Sequence, residues 1–280
     1  MILITTAGKV GSEAARILAE RGVPVRVLVR DRQRANALAL AGAEVVEGDL
    51  TAPETVDAAM HGVSGVVLVS PAIPAQEIAV IDSAVRAGAG HVVKVTSDSS
   101  ATSPIARRRG QAEIEDALIA SGLSYTLLKN NAYMQNFLML APAIAATDSF
   151  TAAAEDGRVG MIDARDVAAI AAEIATAPTD HAKKTYWPTG PETLSYADAA
   201  TVLSKVLDRQ ITYRPISVEQ QRQAMIDLGL PAPIADDNAK ALGLFAEGDA
   251  DYLTDDLPTI LGRPGRTFQQ FVTEFATAFA

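Results

Sequence analysis

Residues 2–11 read ILITTAGKVG, an apolar run that passes through small residues into a helix-forming segment. The run predicts a strand over 2–5, and the apolar spacing beyond it predicts a helix over 10–21. Gly8 and Gly11 keep the spacing of the last two glycines of a Gly-x-x-Gly-x-x-Gly turn, with Thr5 in place of the first. Such a turn lets backbone N–H groups at the helix start approach a pyrophosphate, although an ordinary glycine-containing turn has the same pattern.

The rest of the first half repeats this strand-then-helix pattern. Runs rich in Val, Ile and Leu predict strands, and longer amphipathic segments between them predict helices. The alternation indicates parallel βαβ units, and the nearly continuous apolar strands indicate a sheet covered on both faces. The predicted strands are 24–29, 44–47, 65–69, 92–96 and 125–128, and the predicted helices are 32–40, 53–60, 75–87 and 108–120.

The second half is less regular and predicts a smaller, mostly helical part. Helices are expected over 166–177, 195–207, 218–228 and 267–279, with short strands over 184–187 and 211–214. The fold class that follows is α/β, a Rossmann-like doubly wound parallel sheet over 1–189 with a small substrate-binding lobe over 190–280. The boundary is approximate, and the alternative is that the two parts are interleaved along the chain. A dinucleotide is expected at the carboxyl ends of the strands, where the strand order reverses.

Composition excludes several classes of function. The 280 residues carry a formal net charge of −10 and no cysteine. Such acidity opposes binding to nucleic acid or to an anionic membrane, and the absence of cysteine excludes disulfides and thiolate metal sites. No His and carboxylate spacing suggests a metal, and no apolar run reaches the roughly 18 residues of a transmembrane helix. We expect a cytoplasmic monomer or homodimer that acts on a small molecule.

The end of the second predicted strand bears on cofactor choice. Arg30 lies nineteen residues beyond Gly11, with Arg32 and Arg34 close by. NAD sites often place a carboxylate there, whereas a guanidinium suits the extra phosphate of NADP. We therefore expect NADP(H), with NAD still possible because Asp31 follows Arg30; a solvated basic helix start is the alternative.

Other site residues are predicted from their positions after strands. Asp49 follows the third strand, where either adenine binding or turn formation is possible. Ser97 follows the fifth strand and offers a hydroxyl to nicotinamide or substrate, against a plain turn role. Glu113 and Glu115 are expected to be solvated charges. The predicted cofactor contacts are Thr6, Gly8, Lys9, Val10, Gly11, Arg30, Asp49, Ser70, Pro71 and Ser97, and the catalytic candidates are Ser97, Asn131 and Tyr133.

One attractive motif is rejected. Tyr125 and Lys129 match the Tyr-x-x-x-Lys pair of short-chain dehydrogenases, which needs both side chains one turn apart on a helix, roughly 6 Å from each other. The segment 124–129 is apolar and β-rich and therefore predicts a strand, in which they lie about 13 Å apart. The sequence thus lacks the usual tyrosine proton donor.

Several segments together resemble the NmrA-like family of atypical short-chain dehydrogenases. The likeness covers essentially the whole chain, with departures at Thr5, at Lys129 where relatives commonly carry Arg, and at Gln111 where several carry His. The segments are 2–11, 29–31, 48–50, 67–71, 91–97, 121–128, 131–136, 162–168 and 261–264.

The resemblance implies a Rossmann-like fold, a nicotinamide cofactor and one of two kinds of function. Members of this family include NADPH:quinone oxidoreductases and triphenylmethane reductases, which implies hydride transfer to an uncharged or conjugated acceptor such as a quinone, dye, enone or imine-like compound. The family also includes NADP-sensing regulators without turnover, and an isomerase without net redox chemistry is a third possibility.

Overall fold

A computed structural model describes all residues, 1–280, as two compact units. Unit 1 consists of Met1–Ser103, Arg107–Asn130 and Ala164–Trp187. Unit 2 consists of Pro104–Ala106, Asn131–Asp163 and Pro188–Ala280. The second unit therefore takes in a stretch from the middle of the chain as well as the residues that follow 187.

The secondary-structure elements are numbered in chain order. The strands are β1 (Ile2–Ile4), β2 (Val25–Val29), β3 (Glu44–Glu47), β4 (Gly65–Leu68), β5 (His91–Thr96), β6 (Ser124–Lys129), β7 (Ser149–Ala152), β8 (Arg158–Val159), β9 (Lys184–Tyr186), β10 (Leu194–Ser195) and β11 (Thr212–Pro215). The α-helices are α1 (Lys9–Glu20), α2 (Asn36–Leu40), α3 (Pro53–Ala59), α4 (Pro74–Ala87), α5 (Ala106–Ala120), α6 (Ala141–Thr147), α7 (Ala164–Thr176), α8 (Tyr196–Leu207), α9 (Val218–Asp227), α10 (Ala232–Ala246), α11 (Asp256–Leu261), α12 (Phe268–Glu274) and α13 (Ala276–Phe279).

Unit 1 is built on a seven-stranded sheet with the order β3-β2-β1-β4-β5-β6-β9. All of its strand pairs are parallel. The sequence order reverses between β1 and β4, which are neighbours although β2 and β3 separate them along the chain. This is the doubly wound arrangement that the sequence predicts, and the reversal is its topological switch point.

The central strands of the unit 1 sheet are buried because helices cover both of its faces, whereas the edge strands β3 and β9 are partly exposed. Every residue of β1, β4 and β5 is buried, and Leu3, Leu68 and Ile81 belong to one apolar cluster. Helix α1 packs against α7, and α1 presents Ala14, Ala15 and Leu18 as its buried face. Burial on both faces explains why the strands lack the apolar–polar alternation of a half-exposed sheet.

Unit 2 combines helices with two small sheets. Strands β8 and β10 pair antiparallel, and β7 and β11 pair in parallel. Its core is a cluster that includes Phe137, Phe150 and Phe268, with the Phe137 and Phe268 ring centroids 4.8 Å apart. The sequence predicts the helices that become α8 and α9, but it misses α6, α10 and α11 and the strands β7, β8 and β10.

Two predicted helices prove to be interrupted. The segment predicted as one helix over 32–40 is a 3₁₀ turn, Arg32–Ala35, followed by α2. The helix predicted over 267–279 is divided between α12 and α13 at Phe275. No helix of the structure has both the length and the apolar composition needed to span a membrane.

Candidate functional site

The carboxyl ends of the strands of unit 1 meet at one edge of the sheet because the strands are parallel. At the switch point, β1 leads into α1, while β4 leads into the loop before α4. In open α/β sheets, ligands bind outside the carboxyl ends at such a point. The residues that follow β1, β2, β3, β4, β5 and β6 therefore form the candidate site of unit 1.

The start of helix α1 has no side-chain cap. Gly8 is the N-cap residue, no side chain bonds the first turn, and that turn contains no acidic residue. The first N–H groups of a helix lack intrahelical partners and carry a partial positive charge, which favours an anion at this end. An uncapped start at the switch point therefore fits a phosphate group, and Gly8, Lys9 and Val10 form it.

The two glycines of this turn serve different purposes. A Cβ built on Gly11 would lie 1.9 Å from the backbone oxygen of Thr6, so the chain itself requires glycine there. A Cβ on Gly8 would meet only Thr6 Oγ1, at 3.9 Å. Neither glycine has a positive φ. Gly11 is thus needed for close packing within the turn, whereas Gly8 keeps the exposed side of the helix start open.

Thr5 replaces the first glycine without backbone strain. Its φ is not positive, and its hydroxyl donates to Val69 O and accepts from Val69 N, both at 2.9 Å. Thr6 Oγ1 donates to the same carbonyl oxygen at 2.8 Å. The two threonines thus join the end of β1 to the end of β4, which explains why a β-branched residue is accommodated at this position.

Of the three arginines after β2, only Arg30 keeps an uncommitted guanidinium. Arg32 donates to Val45 O at 2.6 Å, and Arg34 lies 3.6 Å from the Asp31 carboxylate. Arg30 is exposed and makes no hydrogen bond or ion pair within the chain. Its guanidinium is therefore available to an anionic group at this edge, and its contact with a cofactor phosphate stays a prediction.

Asp49, after β3, forms a turn. Its Oδ1 accepts from the Thr51 N–H at 2.8 Å and from the Thr51 hydroxyl at 2.7 Å. The hydrogen bond from the Thr51 backbone lowers the pKa of Asp49, and Arg30 adds a smaller electrostatic effect in the same direction. The turn role that the sequence leaves open is therefore present, and adenine binding by this side chain stays a prediction.

The loop after β4 is fixed by a buried carboxylate. Glu77 Oε1 accepts from Ser70 Oγ at 2.5 Å and from the Ala72 N–H at 3.1 Å. Ala72 adopts a φ of +62°, in the left-handed region that is unfavourable for a residue with a Cβ. The Glu77 contacts thus hold a strained loop in place. Pro71 is exposed beside it, and its contact with a cofactor stays a prediction.

Glu77 is itself paired with Lys94 in the middle of β5. Lys94 Nζ lies 2.7 Å from Glu77 Oε2, and both side chains are fully buried. Burial lowers the pKa of Lys94, and the facing Glu77 carboxylate opposes that shift. Sequence reasoning missed this pair. A lysine within the otherwise apolar run His91–Thr96 was the available signal, because a lysine is almost never fully buried without a partner.

A second charged network lies at the ends of β5 and β6. Glu115 Oε2 accepts from Ser99 Oγ and from Lys129 Nζ, both at 2.8 Å. Lys129 Nζ also donates to Ser99 Oγ at 2.7 Å and lies 5.1 Å from the Trp187 ring centroid. The prediction that Glu115 is a solvated charge is wrong, because its carboxylate is buried and is stabilised there by Lys129 and Ser99. Glu113 is exposed.

The predicted Ser97 occupies the same edge. It is half-buried after β5, and its Oγ makes only a 3.5 Å contact with Asp98 O. A hydroxyl held this loosely can still donate to a ligand. Tyr125 and Lys129 both lie in strand β6, which confirms that they do not form the helical pair of short-chain dehydrogenases.

The remaining catalytic candidates, Asn131 and Tyr133, belong to unit 2. Asn131 is buried, its Nδ2 donates to Ala250 O at 3.0 Å, and its Oδ1 accepts from the Ala132 N–H. Tyr133 precedes the 3₁₀ turn Met134–Met139 and forms a bridge with Ile162. The structure therefore gives the Asn131 amide a structural use, and catalytic roles for both residues stay predictions.

Comparisons with known proteins agree with this geometry. The model of the NmrA-like family matches residues 1–256. An NAD(P)H azoreductase of Xenophilus azovorans is 37% identical over 286 residues, which cover 100% of this chain and 99% of that protein.

Two solved structures are similar over nearly their whole length. The NADPH-dependent quinone oxidoreductase from Escherichia coli, complexed with NADPH, has a TM-score of 0.88 at 28% identity and covers 99% of this chain and 100% of its own. The triphenylmethane reductase of Citrobacter sp., complexed with NADP(H), has a TM-score of 0.86 at 25% identity, with 98% and 99% covered.

Proposed function

This chain belongs to the NmrA-like family, and on that premise we propose that it is an NADPH-dependent reductase that transfers hydride to an uncharged or conjugated small molecule. The acceptor is a quinone, a dye, an enone or an imine-like compound. The broader description, an NAD(P)H-dependent oxidoreductase, is shared with its named relatives. Because those relatives are named as reductases, the alternative of a regulator without turnover is not favoured.

The observation that carries the proposal is the uncapped start of α1 beside the uncommitted Arg30. Backbone N–H groups at a helix start, an open face at Gly8 and a free guanidinium at the end of the neighbouring strand together fit a dinucleotide with an additional phosphate. The residues that would hold it are those of the β1–α1 turn, with Arg30 at the ribose phosphate and Ser70, Pro71 and Ser97 farther along the same edge.

The absence of a tyrosine acid restricts the acceptor. Bound NADPH supplies a hydride. Without a helical Tyr and Lys pair, this chain has no strong proton donor in the usual place for protonating a simple ketone oxygen. A conjugated acceptor spreads the incoming charge over its π system and needs less acid catalysis. Positioning the acceptor against the nicotinamide therefore provides most of the rate enhancement. Ser97 is the hydroxyl that we assign to the acceptor or to the nicotinamide amide.

The net charge of −10 supports the preference for acceptors that are not anionic. A negative protein repels anions over roughly a Debye length, about 8 Å at physiological salt.

The proposed function is tested by measuring NADPH oxidation with naphthoquinone, an azo dye, a triphenylmethane dye, an enone and a simple ketone as acceptors. We expect turnover with at least one conjugated acceptor and none with the ketone. Turnover confined to the ketone would refute the proposed chemistry.

Arg30 is expected to select NADPH over NADH. One hydrogen bond to a charged group contributes about 1.5–3 kcal/mol, so we expect Arg30→Ala to weaken NADPH binding about 10- to 150-fold while NADH binding stays within about 2-fold. Nicotinamide fluorescence measures both affinities. Arg34→Ala is the matched control, because Arg34 is exposed and faces Asp31. An equal loss for both cofactors in Arg30→Ala would contradict this assignment.

A further inference from the structure

Gln111 carries a buried hydrogen-bonding atom that the protein does not use. The side chain lies in α5 and is 5% exposed, and its Oε1 is fully buried without a hydrogen-bond partner. Leaving a buried polar group unsatisfied costs about 1–3 kcal/mol, so an unpaired amide in a native protein calls for an explanation.

The position of Gln111 within unit 1 points to the carboxyl edge of the sheet. It lies one helical turn before Glu115 on the same face of α5, and the Glu115 carboxylate reaches Ser99 and Lys129 at that edge. Helix α5 starts after the β5 loop, so Gln111 is closer to the edge than Glu115 is.

The adjacent residue fixes α5 against the second loop of the site. A Cβ built on Gly110 would lie 3.3 Å from both Ala72 O and Pro74 Cγ. The helix therefore packs closely on the loop that follows β4, and Gln111 lies where this helix borders the loops after both β4 and β5. In open α/β sheets, ligands bind outside the carboxyl ends of the strands, which is the edge that this part of α5 borders.

We infer that the Gln111 amide is the hydrogen-bonding contact for the heteroatom of the acceptor, the carbonyl oxygen of a quinone or enone or the nitrogen of an azo group. This inference rests on the proposed function. A primary amide offers an N–H donor and a carbonyl acceptor. Gln111 Nε2 therefore donates to the carbonyl oxygen or azo nitrogen before reduction, and Oε1, the atom without a partner in the protein, accepts from the hydroxyl or N–H that reduction forms. An amide does not transfer protons near neutral pH, so Gln111 positions the acceptor and does not protonate it.

Gln111→Met tests the contact because it keeps the length of the side chain and removes the amide. If Oε1 is unsatisfied in the free protein, the variant should melt about 2–12 °C higher, by the usual conversion of about 2–4 °C per kcal/mol for chains near this size. The exposed Glu113 on the same helix provides the matched control, Glu113→Gln. We expect no change in melting temperature or kinetics for the control.

Acceptor binding is measured without turnover. The chain has one tryptophan, Trp187, at the end of β9 in unit 1, and a quinone quenches its fluorescence. In protein saturated with NADP⁺, we expect Gln111→Met to weaken naphthoquinone binding about 3- to 10-fold, as for one neutral hydrogen bond, with NADPH affinity unchanged. Steady-state kinetics should show the same loss in kcat/KM for the quinone.

The outcomes separate this contact from the proposed function. Quinone affinity that depends on Gln111 without NADPH consumption would support the contact and refute the reductase. If the protein consumes NADPH and Gln111→Met binds the quinone as tightly as the wild type, the contact is wrong and the proposed reductase function is unaffected. Oε1 would then face an ordered water or no partner. The contact would also be wrong if Gln111→Met had a lower melting temperature or lost as much affinity for NADPH as for the quinone. It would be wrong as well if the wild type neither bound nor reduced the quinone.

Discussion

Gly11→Ala is expected to abolish cofactor binding and to destabilise the protein, whereas Gly8→Ala should affect cofactor binding alone. The Cβ of an alanine at 11 would lie 1.9 Å from Thr6 O, so the turn between β1 and α1 must move. Overpacking of this kind costs about 1–3 kcal/mol or more. We expect NADPH affinity to fall more than 100-fold, because the moved backbone no longer presents its N–H groups to the phosphates.

Gly8→Ala is the informative partner of this pair. Its Cβ would enter open space, with no atom nearer than 3.9 Å. Alanine is a poorer N-cap residue than glycine, but it also reduces the entropy of the unfolded chain, and these two effects of about 0.5–1 kcal/mol oppose each other. We therefore expect an unchanged melting temperature and about a 10-fold weaker affinity for NADPH, because the methyl group occupies the phosphate side of the helix start. Unchanged NADPH affinity in Gly8→Ala would show that no phosphate binds there.

Lys94→Met is expected to be the most destabilising change in unit 1. It leaves the Glu77 carboxylate buried without its counter-ion, and breaking a buried pair in this way costs about 3–5 kcal/mol. The melting temperature should fall by about 6–20 °C at 2–4 °C per kcal/mol.

The double variant Lys94→Met with Glu77→Gln isolates the contribution of the buried charge to the loss of stability. Glutamine removes the charge but keeps an oxygen that can accept from Ser70 Oγ and the Ala72 N–H. We expect the double variant to recover most of the lost stability, with a strong coupling between the two sites in a double-mutant cycle. A double variant as unstable as the sum of the single changes would show that the ion pair is not what holds Lys94 in the core.

The sheet of unit 1 was predictable because its residues obey local rules. The strands from β1 to β6 are short runs of apolar, mostly β-branched residues, each ended by turn residues, and the spacing between them leaves room only for helices. For the same reason, Ser97 and Arg30 could be placed at the carboxyl edge. The same local rules cannot tell which arginine keeps a free guanidinium, because Arg32 donates to Val45 O in the neighbouring strand.

Residues paired through distant contacts could not be predicted. Strand β7 was missed because its mixed composition has no alternation to mark it, and its parallel partner β11, which the sequence does predict as a strand, lies 59 residues farther along the chain. Helix α10 has Gly243 in its interior, where glycine lowers helix propensity, and Pro233 in its first turn, where proline fits a helix but is also common in loops. Glu115 was predicted to be exposed to solvent because its partner, Lys129, is fourteen residues away along the chain and no local pattern connects the two.

The most direct measurement is isotope transfer from the cofactor to carbon. NADPH deuterated at carbon 4 of the nicotinamide is prepared as its two epimers. Each is incubated separately with the protein and with an enone or a triphenylmethane dye, both of which accept hydride at carbon. Our account predicts that one epimer, and not the other, delivers one deuterium to the product, as seen by mass spectrometry. Cofactor bound in the fluorescence assay, with both acceptors returned unlabelled and no NADPH consumed, would contradict the reductase and favour a protein that only senses the cofactor.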